Sequence, residues 1–443
     1  MDSKELIERS GSKEAAIENF IVRTKSSGKD IIPFPFQRLF LKSPQIMFGE
    51  LRRSRPRVLR RSFKIRAYYP FRAPIDCYFQ GKPLAVFSSQ DCYERFDALS
   101  DHFNETARIK AKRCDSRSPY EFWNDETSLR EILTIAFEQE KITPHLVRSL
   151  IYEQVQEAKQ FRPSWVRGIL KLLFSDTRDL EVLDMSAGWG DRLLACMSMD
   201  TKYHGFDPNT TLSSGHQKMI RIFGNNKRHT IEYKPFEDAE LEKEKYDVCI
   251  SSPPFFDLEH YCEEDTQSIK RYPKLRAWME GFLFPSLRKI WDALKYGGYM
   301  ALHLGDTYRF RICDAMNHYI DEKLVDSYYQ GAIGIVGEKK RPTPVWVWQK
   351  RKTFKKNLYP YSFESMYEAY TSDNHATLAL PKFRRNDGGD ETNGETGEAS
   401  KVASKAASET ASEAASEADS TSIEGEANEE TDETDEVNEE VVE

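Results

Sequence analysis

From residue 128 onward, apolar residues along the chain follow two alternating spacings. "SLREILTIAFEQ", "HLVRSLIYEQVQEAKQ" and "SWVRGILKLLF" place them every three or four positions, which predicts amphipathic helices. Short, almost continuously apolar runs follow: Leu180 to Met185, "KYHGFD", "HTIEYK", "YDVCI" and "GGYMALHLG". These read as buried strands. "RLLACMSM", "LSSGHQKMIRIFG" and the stretch from Lys274 to Leu294 supply helices between them. The last two runs, "KLVDSYYQ" and "PVWVWQK", have only a loop between them and predict an antiparallel pair. The expected class is α/β: a seven-stranded, mostly parallel sheet with a C-terminal antiparallel hairpin and helices on both faces.

Upstream the pattern is weaker. Residues 1–30 are polar and predict a flexible arm with no secretory leader. Residues 31–125 mix short strands with an amphipathic helix and predict a mixed α+β accessory domain, basic and suited to nucleic acid. Residues 126–360 form the expected main domain, and residues 361–386 a C-terminal extension. From 387 to 443 the chain has no aromatic residue and few branched aliphatics, so it cannot offset the entropy of ordering and predicts a disordered acidic tail.

Charge sharpens that division. The chain carries a net −8, yet residues 387–443 hold 20 acids against two lysines and the rest is therefore basic. Arg52 to Arg72 contains nine basic residues and no acid, interleaved with Phe63, Tyr68, Tyr69 and Phe71. Arginines clamp phosphates and rings stack on bases, so Arg52, Arg53, Arg55 and Arg57 are candidate nucleic-acid contacts. An import signal or a solvated strand face accounts for the same residues. The seven cysteines are scattered without CxxC pairs, which points to a reducing, intracellular setting (nucleus or cytoplasm) and away from structural zinc. No apolar run reaches the ~20 residues of a membrane span.

The candidate chemistry sits where strands end, the usual ligand edge of such sheets. "DMSAGWGD" turns from the first strand into a helix, with Gly188 and Gly190 allowing close backbone approach. Asp207 closes the second strand, where a carboxylate can hold both hydroxyls of a ribose. The third glycine of a dinucleotide motif is Leu193, and Asp184 and Asp191 flank the turn. A pyrophosphate is disfavoured there, and an adenosine with a cationic end fits better. After the fourth strand comes "SSPPFF": two prolines stiffen a turn that carries two rings.

Taken together, "VLDMSAGWGD", "GFDPN", "PFED" and "SSPPFF" resemble class I S-adenosylmethionine-dependent methyltransferases over roughly Leu180 to Lys350. More narrowly they are similar to the amino-methyltransferase branch, which carries an [Asp/Asn/Ser]-Pro-Pro-aromatic motif after the fourth strand. The resemblance implies a Rossmann-like fold and S-adenosyl-L-methionine, held by Asp184, Ser186, Gly188, Gly190, Asp207 and Asp238. It implies catalysis by Ser252, Pro253, Pro254 and Phe255, with Phe256 added to the substrate contacts and no metal. Adenine N6 is the favoured target, but Ser252 stands where adenine enzymes most often have Asp or Asn and serine is commoner among cytosine-N4 enzymes, so cytosine N4 stays open. Other open points are Trp189 (over the cofactor or packed), Asp238 against Glu237, and Asp257 and Glu259 as pocket carboxylates. His303 reads as a core histidine. A protein-glutamine methyltransferase, a small-molecule amine methylase (which would have little use for Arg52 to Arg72) and an inactive nucleic-acid-binding module are the competing readings, and the oligomeric state is not legible.

Overall fold

The computed structural model describes residues 2–26, 31–59, 64–65, 75–76, 78–83, 85–87, 96, 98–307, 310–336, 342–352, 359, 362–371 and 440–441. The expected disordered tail lies outside them, apart from Glu440–Val441. The chain opens with α1 (Ser3–Ser10) and α2 (Lys13–Lys25), then α3 (Pro44–Arg53) and the short strands β1 (Arg57–Leu59) and β2 (Ala85–Phe87). It continues through α4 (Asp101–Arg108), α5 (Pro119–Asn124), α6 (Glu126–Ala136), α7 (Pro144–Gln154) and α8 (Pro163–Leu173). The main alternation follows as β3 (Glu181–Asp184), α9 (Asp191–Ser198), β4 (Lys202–Phe206), α10 (Ser213–Phe223), β5 (His229–Glu232) and β6 (Tyr246–Ser251). It closes with α11 (Phe284–Ala293), β7 (Leu294–His303), α12 (Ile312–Lys323), β8 (Ser327–Val336), β9 (Pro342–Lys350) and α13 (Phe363–Thr371).

The strands run in the order β5-β4-β3-β6-β7-β9-β8, parallel from β5 to β7. β9 enters antiparallel between β7 and β8, which is the expected hairpin. Both faces are buried, because successive residues of each strand enter different cores. Val248 and Ile250 of β6 pack under α8 and α9, while Tyr246 and Cys249 pack toward α11 and α12. Val345 and Val347 of β9 join the first core, and Trp346 and Trp348 the second.

Two expectations about the N-terminal region change. Residues 3–25 are not a loose arm: Asp2 and Ser12 cap two helices, and Ala16, Ile17, Phe20 and Ile21 bury against Phe122, Leu129, Leu133 and Ile151. That core spans both sides of residue 126, so the expected domain boundary there falls inside a helical cluster. The region 31–125 is not a separate domain either. β2 adds to β8 in parallel and β1 pairs antiparallel with both β2 and Glu440–Val441, so the main sheet extends into it. All described residues belong to one compact unit.

The single helix expected from Lys274 to Leu294 is interrupted. A turn at Leu275–Trp278 widens into a π-helical segment, Met279–Leu283, before α11. Pro285 has no N–H to give the carbonyl four residues back, and the ladder shifts to longer bonds just ahead of it.

α4 is the wedge between the helical cluster and the sheet. Its buried Arg108 makes a bidentate pair with Asp101 (2.8 and 2.6 Å) and also contacts Glu157. Buried Glu105 meets Arg148 at 3.0 Å and accepts the Gln37 and Arg38 backbone N–H groups. Asn104 donates to the Trp189 carbonyl at 2.9 Å, so the wedge reaches the glycine turn.

Candidate active site

The carboxyl ends of β3 and β6 and a tyrosine from the start of β4 converge on one carboxylate. Asp184, fully buried, accepts four hydrogen bonds. Arg192 Nε and the Tyr203 hydroxyl bind Oδ2 at 2.7 Å each, and the Ser251 hydroxyl (2.7 Å) and Ser186 N–H (3.2 Å) bind Oδ1. Arg192 also donates to the Ser186 carbonyl. With both oxygens occupied by protein donors, Asp184 shapes the turn from behind, which corrects its expected role as a cofactor contact. Tyr203, Arg192 and Ser251 were not singled out from sequence. The available signal was polar side chains at positions the strand pattern buries.

The turn itself needs its glycines for different reasons. Gly190 has φ +98°, and a Cβ there would lie 2.6 Å from Met219 Sδ. Gly188 has φ +58°, and a Cβ there would make only ordinary contacts, 3.8 Å from Arg192 and from the Ser186 carbonyl, so its backbone conformation rather than crowding calls for glycine. The Gly188 N–H donates to Asp207 Oδ2 at 2.7 Å, and the Asn209 N–H to Oδ1 at 2.9 Å. Burial above all, with the Asp184 charge adding, pushes the Asp207 carboxyl up to about 6. His216 supports the turn from α10. Its Nε2 lies 2.8 Å from the Gly188 carbonyl, which can only accept, so Nε2 carries the proton and Nδ1 accepts from Tyr233 at 3.2 Å. Burial pulls that imidazole down to about 4, consistent with a neutral ring.

Ser186 lies in the turn with its backbone committed to Asp184 and Arg192. Trp189 packs rather than covering a ligand: its indole donates to the Lys159 carbonyl at 3.2 Å and it clusters with Ala111, Ala158 and Leu212. Asp238 and Glu237 share Arg271, at 2.8 and 2.6 Å. Glu237 is the buried partner and Asp238 the exposed one.

On β6 the chain passes from Ser251 into the proline turn. The Ser252 hydroxyl and the Pro253 carbonyl have no hydrogen-bond partner among the described residues. Ser252 is half-buried and Pro253 buried. Pro254 and Phe255 are half-buried, and the Phe255 ring meets the His303 ring edge-on at 5.4 Å. Phe256 adopts φ +55°, a conformation that side chains other than glycine rarely take. That twist sends its ring the other way. It is 4% exposed and packs on Trp278 and Phe310, each at 5.7 Å, which corrects its expected role in substrate contact. His303 donates from Nδ1 to the Pro344 carbonyl at 2.8 Å, and burial lowers it to about 4. Glu259 is held by Arg113 (2.5 Å), Tyr261 (2.8 Å) and the Lys159 N–H (3.3 Å), so it locks the loop against residues 112–113.

The arginine cluster is not brought to this edge. Arg52 pairs with Asp200 at 3.1 Å, in the turn that precedes β4, at the opposite end of the sheet from the proline turn. Arg53 and Arg55 are exposed beside it. Arg57 lies on β1 opposite Phe87, and its side chain is outside the described set. Among the described residues no three His, Cys, Asp or Glu side chains gather in a metal-holding arrangement, and no helix is long and apolar enough to cross a membrane.

No protein-family model matches the chain, and no curated protein sequence matches it. Solved structures similar to it include an rRNA methylase from Streptococcus thermophilus, at 14% identity over 44% of this chain and 100% of that one, with a TM-score of 0.31. TrmN from Thermus thermophilus is 14% identical over 42% of this chain and 48% of that one, TM-score 0.32. An S-adenosylmethionine dependent methyltransferase from Mesorhizobium loti is 17% identical over 32% and 52%, TM-score 0.22. The chain thus spans about half the length of the last two. At such identities and scores, function is read from this chain's own residues.

Proposed function

We propose that the protein is an S-adenosylmethionine-dependent amino-methyltransferase that acts on the exocyclic amino group of a nucleic-acid base, adenine N6 in preference to cytosine N4. The observation that carries this is the pair of unpartnered acceptors, the Ser252 hydroxyl and the Pro253 carbonyl, on a stiff turn at the carboxyl edge of the sheet. The glycine turn and Asp207 lie at the same edge.

The cradle fits an adenosine. We assign Asp207, through its carboxylate lone pairs, to the ribose hydroxyls, and half-exposed Asp238 to the adenine amino group. When bound, the cofactor supplies a methyl group on a sulfonium, an electrophile for any well-aimed lone pair. The chain's task is the aiming. An aryl amine is a weak nucleophile because its lone pair is delocalised into the ring. Two acceptors that hold its N–H bonds bias the nitrogen toward tetrahedral geometry and point the lone pair outward. The prolines fix where the Pro253 carbonyl points, and Phe255 offers a ring face for an unstacked base. The +10 balance of residues 1–386 suits a polyanionic substrate.

The test is transfer of labelled methyl from S-adenosylmethionine to separate DNA, RNA and protein pools, followed by nucleoside analysis. N6-methyladenosine or N4-methylcytidine, in ribo or deoxy form, is the expected product. Label on protein glutamine alone overturns the substrate.

A further inference from the structure

α8 joins two places that differ in character. It starts beside the proline turn: the Phe161 ring lies 5.5 Å from the His303 ring, which also meets Phe255 at 5.4 Å. Arg167 and Lys171 stand four and eight residues beyond Pro163 and share a helix face. Arg167 is 4% exposed, yet no carboxylate faces it among the described residues. Its Nη1 bonds the Ser198 carbonyl (3.2 Å) and hydroxyl (2.7 Å), and its Nη2 the carbonyls of Arg52 (3.2 Å) and Ser54 (3.0 Å). Its Nε is buried without a partner.

The neighbours are cations as well. Burial, and then the Arg52 charge, draws the Arg167 guanidinium down to about 10. Burial, followed by Arg167 and Arg55, lowers the Lys171 ammonium. The one carboxylate paired with the cluster among the described residues is Asp200, on Arg52, and that pair is about half exposed on both sides. Arg53, Arg55 and Lys171 have no carboxylate partner among the described residues. A buried cation without a counter-ion is unfavourable, and five cations with one weakly paired carboxylate between them leave an unmet demand for anions.

We propose that Arg52, Arg53, Arg55, Arg167 and Lys171 form an exosite for backbone phosphates of the nucleic-acid substrate, remote from the catalytic turn. The proposal rests on the nucleic-acid reading above and adds where the strand is gripped. Exposed guanidinium forks at Arg53 and Arg55 match phosphate geometry, and Lys171 adds a point charge. Buried Arg167 fixes the end of α3 and contributes its field. The α8 rise sets the span. Eight residues at about 1.5 Å each separate Lys171 from the helix start by about 12 Å. The ring contacts of 5.5 and 5.4 Å between Phe161, His303 and Phe255 add to that path, so at about 3.4 Å per nucleotide the gripped phosphates lie at least about four nucleotides from the target base.

The test uses the full chain without cofactor and the triple variant Arg53→Ala, Arg55→Ala, Lys171→Ala, leaving Arg167 intact so that the fold is not the variable. Fluorescence anisotropy is followed from 50 to 200 mM NaCl with a labelled 20-nucleotide single-stranded DNA and an RNA of the same sequence. Three lost contacts at about 0.7 each should flatten the salt slope by about 2 and weaken binding at 50 mM at least tenfold. Arg53→Lys with Arg55→Lys should keep the slope. The probe that loses more affinity identifies the backbone, DNA or RNA. Unchanged affinity and slope on both probes overturn the exosite, even in a chain that methylates nucleic acid. A flattened slope in a chain that transfers no methyl to nucleic acid keeps the exosite and removes the catalytic reading.

Discussion

Asp184 separates two accounts of the site, because a ligand contact and a structural hub fail differently. In Asp184→Asn the oxygen facing Arg192 and Tyr203 can remain an acceptor, but the negative charge is gone. The amide nitrogen then replaces Oδ1 and meets the Ser186 N–H, a donor that cannot turn away, while the Ser251 hydroxyl can rotate. Arg192 is left as a buried cation without its counter-ion. Breaking a buried pair from one side costs about 3–5 kcal/mol, against a total stability of about 5–15 kcal/mol for a typical domain. With an m-value near 3 kcal/mol/M, the urea midpoint should fall by about 1 M or more. Urea unfolding of the cofactor-free chain measures that loss, and calorimetry of the folded fraction measures S-adenosylmethionine affinity. A variant within about 0.5 kcal/mol of wild type that no longer binds cofactor would refute the hub and restore the ligand contact.

Cofactor affinity should fall below about pH 6, where Asp207 takes up a proton, and Asp207→Asn should remove that dependence; calorimetry from pH 5 to 8 with no inflection in wild type counts against it. The sign excludes unfolding through this group as the cause. A carboxyl raised by the fold binds its proton more tightly when folded, so it adds stability as the pH falls from 6. Pro253→Ala should lower kcat with little change in KM, because the base still binds while its lone pair is misaimed. Phe255→Ala should weaken substrate binding by about 1–3 kcal/mol, and full activity in it would reduce the loop to a strand cap. Removing residues 387–443, which carry −18, should tighten non-specific nucleic-acid binding at low salt, and equal affinity would show that the tail does not compete.

The sheet was legible because its strands are buried on both faces and read as apolar runs between helical spacings. The glycine turn was legible because Gly190 has no alternative next to Met219. The N-terminal helices were missed although their caps were present: Asp2 and Ser12 sit where helix starts require them. About half of the residues in each helix are exposed, and the few that α2 buries need a partner core supplied by residues about a hundred positions later. The two rings of "PPFF" could not be told apart either. A left-handed residue at Phe256 is set by tertiary packing, with nothing local to announce it. The arginine cluster was correctly seen as basic, but charge patterning says nothing about which end of a sheet it occupies.

The residue that matters most to the geometry may be read from the strand pairing rather than from the motif. Ser251, one position before the proline turn, is a buried hydroxyl in an apolar strand, and it donates to the same carboxylate that receives the Ser186 N–H. The glycine turn and the acceptor turn thus hang on one oxygen, Asp184 Oδ1, with β3 and β6 paired directly beneath. A shift of either turn must stretch a 2.7 Å or a 3.2 Å hydrogen bond to Asp184. Methyl transfer requires donor and acceptor atoms to be held at a set separation, and a misplacement of about 1 Å can lower the rate about a hundredfold. Ser251→Ala leaves Asp184 its other three donors, so the chain should stay folded and bind cofactor, while the acceptor turn loses its tie. Turnover should then fall with affinity for cofactor and nucleic acid unchanged, and a Ser251→Ala enzyme with wild-type kcat would show that the prolines alone set the distance.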